Sequence, residues 1–222
     1  MSTIVVSDLH IGDNRVDRNL SSLFRTIEDL AATDSHLVLN GDIFDFAFSM
    51  SFDSRHREFI SIVRKYGQVT CIQGNHDWIF VGLGRAFAPK FVFCPELKLI
   101  IGGRKFQILH GHQSDLVSNS LPWLNRLLIR LNHRISSIFG IDLQMKLRGT
   151  KYGQRILEKQ EDRIVKRGDW AEIVVAGHTH RPAVRQVGYR TYVNTGDWVE
   201  RAHRSYLLIQ NDGSFELITL ED

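Results

Sequence analysis

Ile173-Val174-Val175-Ala176-Gly177-His178-Thr179-His180 reads as a buried strand that ends at a glycine and delivers two histidines. Four apolar residues, three of them β-branched, predict a strand covered on both faces. Gly177 is expected to let the chain turn sharply without a side chain in the way. Neutral imidazole is the commonest metal ligand, and a strand edge followed by His-x-His can aim both rings at one point. Taken alone, the fragment reads equally well as a strand followed by two locally hydrogen-bonded histidines. The same layout elsewhere in the chain decides between the two.

It recurs four times. Thr3–Ser7 ends at Asp8-Leu9-His10, and His36–Asn40 ends at Gly41-Asp42-Ile43-Phe44-Asp45. Gln68–Gln73 ends at Gly74-Asn75-His76-Asp77, and Lys105–Leu109 at His110-Gly111-His112. Helical spacing from Asn19 to Ala32 predicts a first helix, and Asp53 or Ser54 caps a second that runs to Tyr66. A shorter helix is expected over Ile79 to Phe87. Leu97–Ile101 and Lys105–Leu109 form a hairpin around Gly102-Gly103. Strands dominate the end of the chain: Ala183–Val187, Tyr192–Thr195, Ser205–Gln210 and Phe215–Thr219, the last two flanking Asn211-Asp212-Gly213. Early alternation and late strands predict an α/β fold of mixed sheets, two packed on each other with helices outside.

Length and composition fit one domain over residues 1–222, with an inserted lobe at about 116–167. No apolar run approaches the roughly 18–20 residues of a membrane-spanning helix. The N-terminus enters a strand directly, without a basic region or a cleavage site, so no secretory signal is expected. Cys71 and Cys94 lie in unrelated contexts and read as two thiols in a reducing cytoplasm. Charge is unevenly distributed. From Trp123 to Arg167 there are 11 Lys/Arg against 4 Asp/Glu, while the remainder holds 17 against 21. A basic segment on an acidic body points to an anionic partner.

Loops at the carboxyl ends of strands are where sites collect in α/β proteins. Asp8, His10, Asp42, Asn75, His110, His178 and His180 would converge there if their strands are neighbours. This set of carboxylates, one amide and imidazoles, without thiolate, suits Mn²⁺, Fe or Zn²⁺ better than Cu(I) or a structural thiolate zinc site. Seven ligands exceed one tetrahedral ion and fit two divalent metal ions sharing a carboxylate, for which Asp42 is the natural bridge. Two ions about 3.5–4 Å apart clamp an in-line displacement at phosphorus and acidify a shared water.

Together, Asp-x-His, Gly-Asp-x-x-Asp, Gly-Asn-His-Asp, His-Gly-His and Gly-His-Thr-His, spanning Asp8 to His180, resemble the calcineurin-like metallophosphoesterases. The resemblance implies a four-layer α/β/β/α sandwich with a dinuclear centre. One metal would take Asp8, His10, Asp42 and His180, and the other Asp42, Asn75, His110 and His178. It places His76 beside the substrate as general acid or electrostatic stabiliser, oriented by Asp77. Asp45 would hold a ligand histidine by its other nitrogen.

The basic segment bears on the substrate. Leu124, Leu127, Leu128, Leu131, Ile135, Ile138 and Phe139 share one helical face, and Arg126, Arg130 and Arg134 fall largely on the other. Such a basic amphipathic helix suits a lid, or peripheral docking on an anionic membrane. A second helix, Gln154 to Lys166, would pair with it. His112, Asp115 and Arg181, together with the three arginines, are candidate substrate contacts. The insertion, Gly-His-Thr-His-Arg-Pro and Asn194-Thr195-Gly196-Asp197-Trp198 resemble the UDP-2,3-diacylglucosamine diphosphatase group. That group implies Mn²⁺-dependent cleavage of a lipid-linked pyrophosphate at the inner face of the cytoplasmic membrane. Its main members carry Arg at the position of His76 and Asp at that of His112. The alternative is a soluble phosphatase or phosphodiesterase acting on a nucleotide or phosphoprotein. Nothing resembles a nucleic-acid module, which argues against a nucleic-acid partner, and the oligomeric state is not encoded in any motif.

Overall fold

The structure, a computed structural model, describes residues 1–13, 15–45, 52–76, 91–114 and 150–220. Two mixed sheets stack face to face. The first has the order β11-β10-β1-β2-β3-β4, built from β1 (Ser2–Val6), β2 (Ser35–Asn40), β3 (Gln68–Ile72), β4 (Val92–Cys94), β10 (Ser205–Ile209) and β11 (Phe215–Thr219). The second has the order β5-β6-β7-β9-β8, from β5 (Glu96–Ile101), β6 (Arg104–Leu109), β7 (Ile173–Ala176), β8 (Ala183–Val187) and β9 (Arg190–Asn194).

Alternation along the central strands generates the layers. In β2, Leu37 and Leu39 face outward, where they pack with Leu23, Phe24 and Ile27 of α1 (Leu20–Ala31) and Phe59 and Val63 of α2 (Ser54–Val63). Val38 points the other way, into an inter-sheet core with Val5, Ile72, Phe106, Ile108, Ile173, Val175 and Val193. The outer face of the second sheet presents Leu109, Val174, Ala176 and Tyr192 to Ile164 and Val165 of α3 (Lys151–Arg167). The result is a helix–sheet–sheet–helix sandwich.

Local signals placed most boundaries. Asp53 caps α2, accepting from the Arg55 N–H at 2.9 Å, which decides between the two expected caps. That helix ends at Val63 rather than at Tyr66, whose hydroxyl instead donates to the Ile27 carbonyl at 2.7 Å. Thr150 caps α3 through the Gly153 N–H, and Arg190 donates to the carbonyls of Asp169 and Ala171 beyond its other end. α3 lies inside the segment read as an insertion, yet its apolar stripe packs on β7 and β9 as the fourth layer. The short β4 carries no periodicity and was not expected. Cys71 faces the helices and Cys94 the inter-sheet core, so their side chains leave the sheet on opposite sides, and both are free thiols. Among the described residues no helix is long and apolar enough to cross a membrane. The expected helices over Ile79 to Phe87 and around Arg126–Arg134 lie outside the described residues.

Candidate metal centre

β1, β2 and β3 run parallel, as do β6, β7 and β9. Their carboxyl ends therefore open on one edge of the sandwich, and backbone bonds continue between the loops beyond them. The N–H groups of Asp8 and His10 donate to the carbonyls of Gly41 and Asp42 at 3.0 and 2.9 Å. Gly177 N–H donates to the His110 carbonyl at 3.0 Å. Side-chain contacts also lock one sheet to the other, among them His178 N–H donating to Asp8 Oδ2 at 2.9 Å and His110 Nδ1–H donating to the Asn40 carbonyl at 2.8 Å.

The expected ligands meet as a result. Donor atoms of Asp8, His10 and His180 lie within 4.8 Å of one another, as do those of Asp42, His110 and His178, and those of His10, Asp42 and His76. His180 Nε2 is 3.2 Å from Asp8 Oδ1, and His110 Nε2 is 3.2 Å from Asp42 Oδ2. Oδ1 of Asn75, the seventh expected ligand, is buried and has no hydrogen-bond partner among the described residues. An acceptor kept from water without a donor is costly, unless a cation supplies its partner. The donor set is oxygen and imidazole nitrogen only, which fits divalent cations of borderline hardness.

Backbone strain marks the same residues. Among the described residues the non-glycine positions with left-handed φ are Asp8, His10, Asp42, His178 and His180, at 53°, 47°, 51°, 65° and 57°. All five belong to the expected ligand set. Each such conformation costs of order 1 kcal/mol or more and persists where the surroundings over-determine it, commonly at functional sites.

Glycines beside the ligands serve a steric purpose. A Cβ on Gly41 would collide with the His110 ring, one on Gly177 with Asp8 Oδ2 and Ser7, and one on Gly74 with Asp42 Oδ1 and the Asp42 backbone nitrogen. Gly177 is absent from the left-handed positions, so its requirement is room for Asp8 and not the sharp turn expected from sequence. Gly74→Ala is expected to destabilise the metal-free protein by about 1–3 kcal/mol, because the opposing atoms include the Asp42 backbone nitrogen, which cannot swing aside. Denaturant unfolding measures this, and an unchanged midpoint would show that the loop yields.

Electrostatics follow from three buried carboxylates among imidazoles. Burial opposes ionisation of Asp8, Asp42 and Asp45, but the neighbouring histidines outweigh it and hold all three carboxyls below the usual range. Burial likewise opposes charge on His76, His110 and His180, yet the carboxylates push them up to about 9, about 10 and about 9. Asp45 is a two-sided clamp, with Oδ2 3.4 Å from His10 Nδ1 and Oδ1 3.1 Å from His76 Nδ1. It thus orients His76, the role expected of Asp77, which lies outside the described residues.

His112 sits in a short 3-10 turn with its ring 5.4 Å from that of His110, and burial followed by the nearby histidines lowers it to about 3. Arg181 is exposed beside His180. Asp115, Arg126, Arg130 and Arg134 lie outside the described residues. Sequence reading assigned no role to Asp197, which contacts His180 Nδ1 at 3.4 Å. The signal was present, since Asn194-Thr195-Gly196-Asp197 repeats the strand–Gly–Asp layout that ends in Asp42.

Comparison with known proteins agrees with this geometry. A family model described as calcineurin-like phosphoesterase matches residues 1–182. UDP-2,3-diacylglucosamine hydrolase of Shewanella piezotolerans is 28% identical over 247 residues, covering 99% of this chain and 98% of its own. The protein of the same name from Photorhabdus laumondii is 26% identical over 211 residues, covering 84% and 85%. A structure described as a novel archaeal phosphodiesterase superposes with a TM-score of 0.52 at 15% identity, covering 99% of this chain and 100% of that one, and shares the fold. The chain belongs to the calcineurin-like phosphoesterases and is a metal-dependent phosphoester hydrolase.

Proposed function

We propose that this chain hydrolyses a lipid-linked nucleotide pyrophosphate, of the UDP-2,3-diacylglucosamine type, at a centre for two divalent cations, Mn²⁺ in the first place. The observation that carries the reading is the convergence of six of the seven expected ligand side chains on one edge, five of them in left-handed backbone. Asp8, His10, Asp42 and His180 would hold one ion, and Asp42, Asn75, His110 and His178 the other. When bound, two such ions supply Lewis-acid stabilisation of charge on phosphoryl oxygens and acidify water.

The chain's own residues do the rest. Asp45 holds His76 by Nδ1 and leaves Nε2 to reach the substrate. The Asp42 side chain accepts the His76 backbone N–H at 2.8 Å, so the ring is fixed relative to the centre at both ends. With Nδ1 held by Asp45, His76 can hydrogen-bond a phosphoryl oxygen through Nε2 or, in its protonated form, give its proton to the departing oxygen. A lipid-linked substrate is favoured by the names of the relatives and by the basic amphipathic pattern around Arg126, Arg130 and Arg134. That pattern also suggests peripheral attachment to an anionic membrane, on its cytoplasmic side.

Mn²⁺-loaded protein given UDP-2,3-diacylglucosamine, simple nucleotides and aryl phosphoesters should release UMP from the first far faster than it turns over the others. Preference for free nucleotides or phosphopeptides would instead favour a soluble phosphatase or phosphodiesterase. His76→Ala should lower kcat roughly 10²–10⁴-fold for poor leaving groups and less for activated aryl esters. An equal loss across leaving groups would leave His76 as an electrostatic contact only.

A further inference from the structure

Asp197 is fully buried in the loop after β9, beyond residue 182 where the family match ends. Oδ1 accepts the backbone N–H groups of Val199 and Glu200 at 2.7 and 2.8 Å. Oδ2 faces two imidazoles, with His180 Nδ1 at 3.4 Å and His203 Nδ1 at 3.1 Å. Donor atoms of Asp197, Glu200 and His203 lie within 4.8 Å of one another, the dimensions of a third cation position. Both Asp197 oxygens are already engaged with N–H groups, however, so this cluster is a strut and not a vacancy for an ion.

We propose that Asp197 is the positioning residue for His180, with His203 as its outer partner, and that it tunes one cation position and spares the other. This rests on the two-cation reading above. A carboxylate at Nδ1 keeps the proton there, leaves the Nε2 lone pair for the cation and makes the ring a stronger donor. His180 Nε2 does point at the centre, 3.2 Å from Asp8 Oδ1. The neighbouring ligand His10 has Asp45 behind its own Nδ1 at 3.4 Å, so both imidazoles of this position are backed by carboxylate. The other position differs: His110 Nδ1–H meets a neutral carbonyl, that of Asn40. His203 is partly exposed, which carries the strut from the centre to the surface.

Asp197→Asn keeps the side-chain volume and the Oδ1 acceptor but removes the charge. Equilibrium dialysis against Mn²⁺ should give two ions per wild-type chain. In the variant, one class of site should be unchanged and the other weakened roughly 10- to 100-fold. Electron paramagnetic resonance at the same free Mn²⁺ should then change from a coupled pair to the pattern of an isolated ion. Unchanged binding, or equal weakening of both classes, would overturn the proposal while leaving the two-cation centre intact. Wild-type protein that binds no Mn²⁺ would overturn both. Should the variant not fold, wild-type protein loaded with diamagnetic Zn²⁺ and isotope-labelled at the imidazole nitrogens still decides. A proton on His180 Nδ1 supports the proposal, and one on Nε2 overturns it.

Discussion

Asp42→Asn is expected to lower kcat/KM by about 10³-fold or more, with the protein still folded. Asp42 is the carboxylate common to two of the clusters, one with His10 and His76 and the other with His110 and His178. Its Oδ2 lies 3.2 Å from His110 Nε2, and Oδ1 accepts the His76 N–H at 2.8 Å. Asparagine retains one oxygen for the His76 N–H but offers an amide where the second oxygen stood, so the proposed bridge between two cations would be lost. Cation clamps contribute several kcal/mol to phosphoryl transfer, and each 1.36 kcal/mol is tenfold in rate. Asparagine is also among the few residues that adopt left-handed backbone readily, so the φ of 51° at this position should survive. Far-ultraviolet circular dichroism separates this outcome from misfolding, and metal analysis should show fewer than two ions per chain. Wild-type turnover by the variant would exclude a bridging carboxylate here.

What was legible in the sequence was what short range encodes. The layout of apolar run, turn residue and metal-capable side chain locates Asp8, Asp42, His110 and His178 at strand ends, because each strand announces its own end. Parallel pairing of β1 with β2 and of β6 with β7 then brings those ends to one edge. Contacts across sequence were not legible. Gly74 and Gly177 look like turn residues, yet each makes room for a carboxylate distant in the chain, Asp42 and Asp8 respectively. Asp45 was expected to hold one histidine and holds two, since nothing in the run from Gly41 to Asp45 reveals that His76 folds over it. α3 was read as part of an insertion because its stretch is basic. Its buried stripe of Leu157, Ile164 and Val165 is sparse in sequence, and only the facing strands show that it closes the second sheet. Asp197 lay in a quoted motif, but its partner His180 is fixed by the pairing of β9 with β7, and the one-dimensional pattern carries no register.

Metal-free protein should be most stable near pH 6.5, because His112 and His36 are lowered by burial and oppose folding increasingly below that value, and it should lose on the order of a few kcal/mol as pH rises toward about 10. His76, His110 and His180 are raised from 6.5 to about 9, about 10 and about 9 by facing carboxylates that outweigh burial. A raised base stabilises fully below its unfolded value, and that stabilisation fades as pH climbs through the folded value. Asp8, Asp42, Asp45 and Asp197 are lowered from 3.8, so their share is present above that value and is lost as pH falls below it. Acid and base members of each pair report the same attraction, so the two limbs bracket one interaction and do not add. Divalent cations reverse the alkaline limb, because they compete with protons for the same imidazole nitrogens and bind better as those protons leave. Mn²⁺ should therefore raise the Tm more at pH 9 than at pH 6, and its uptake near neutral pH should release protons. Thermal unfolding in chelator and in Mn²⁺ across this range measures both effects. A metal-free Tm that stays flat from pH 6.5 to 10 would mean that the imidazoles are neutral in the folded protein, and the charge-paired cluster described for the metal-free state would be wrong.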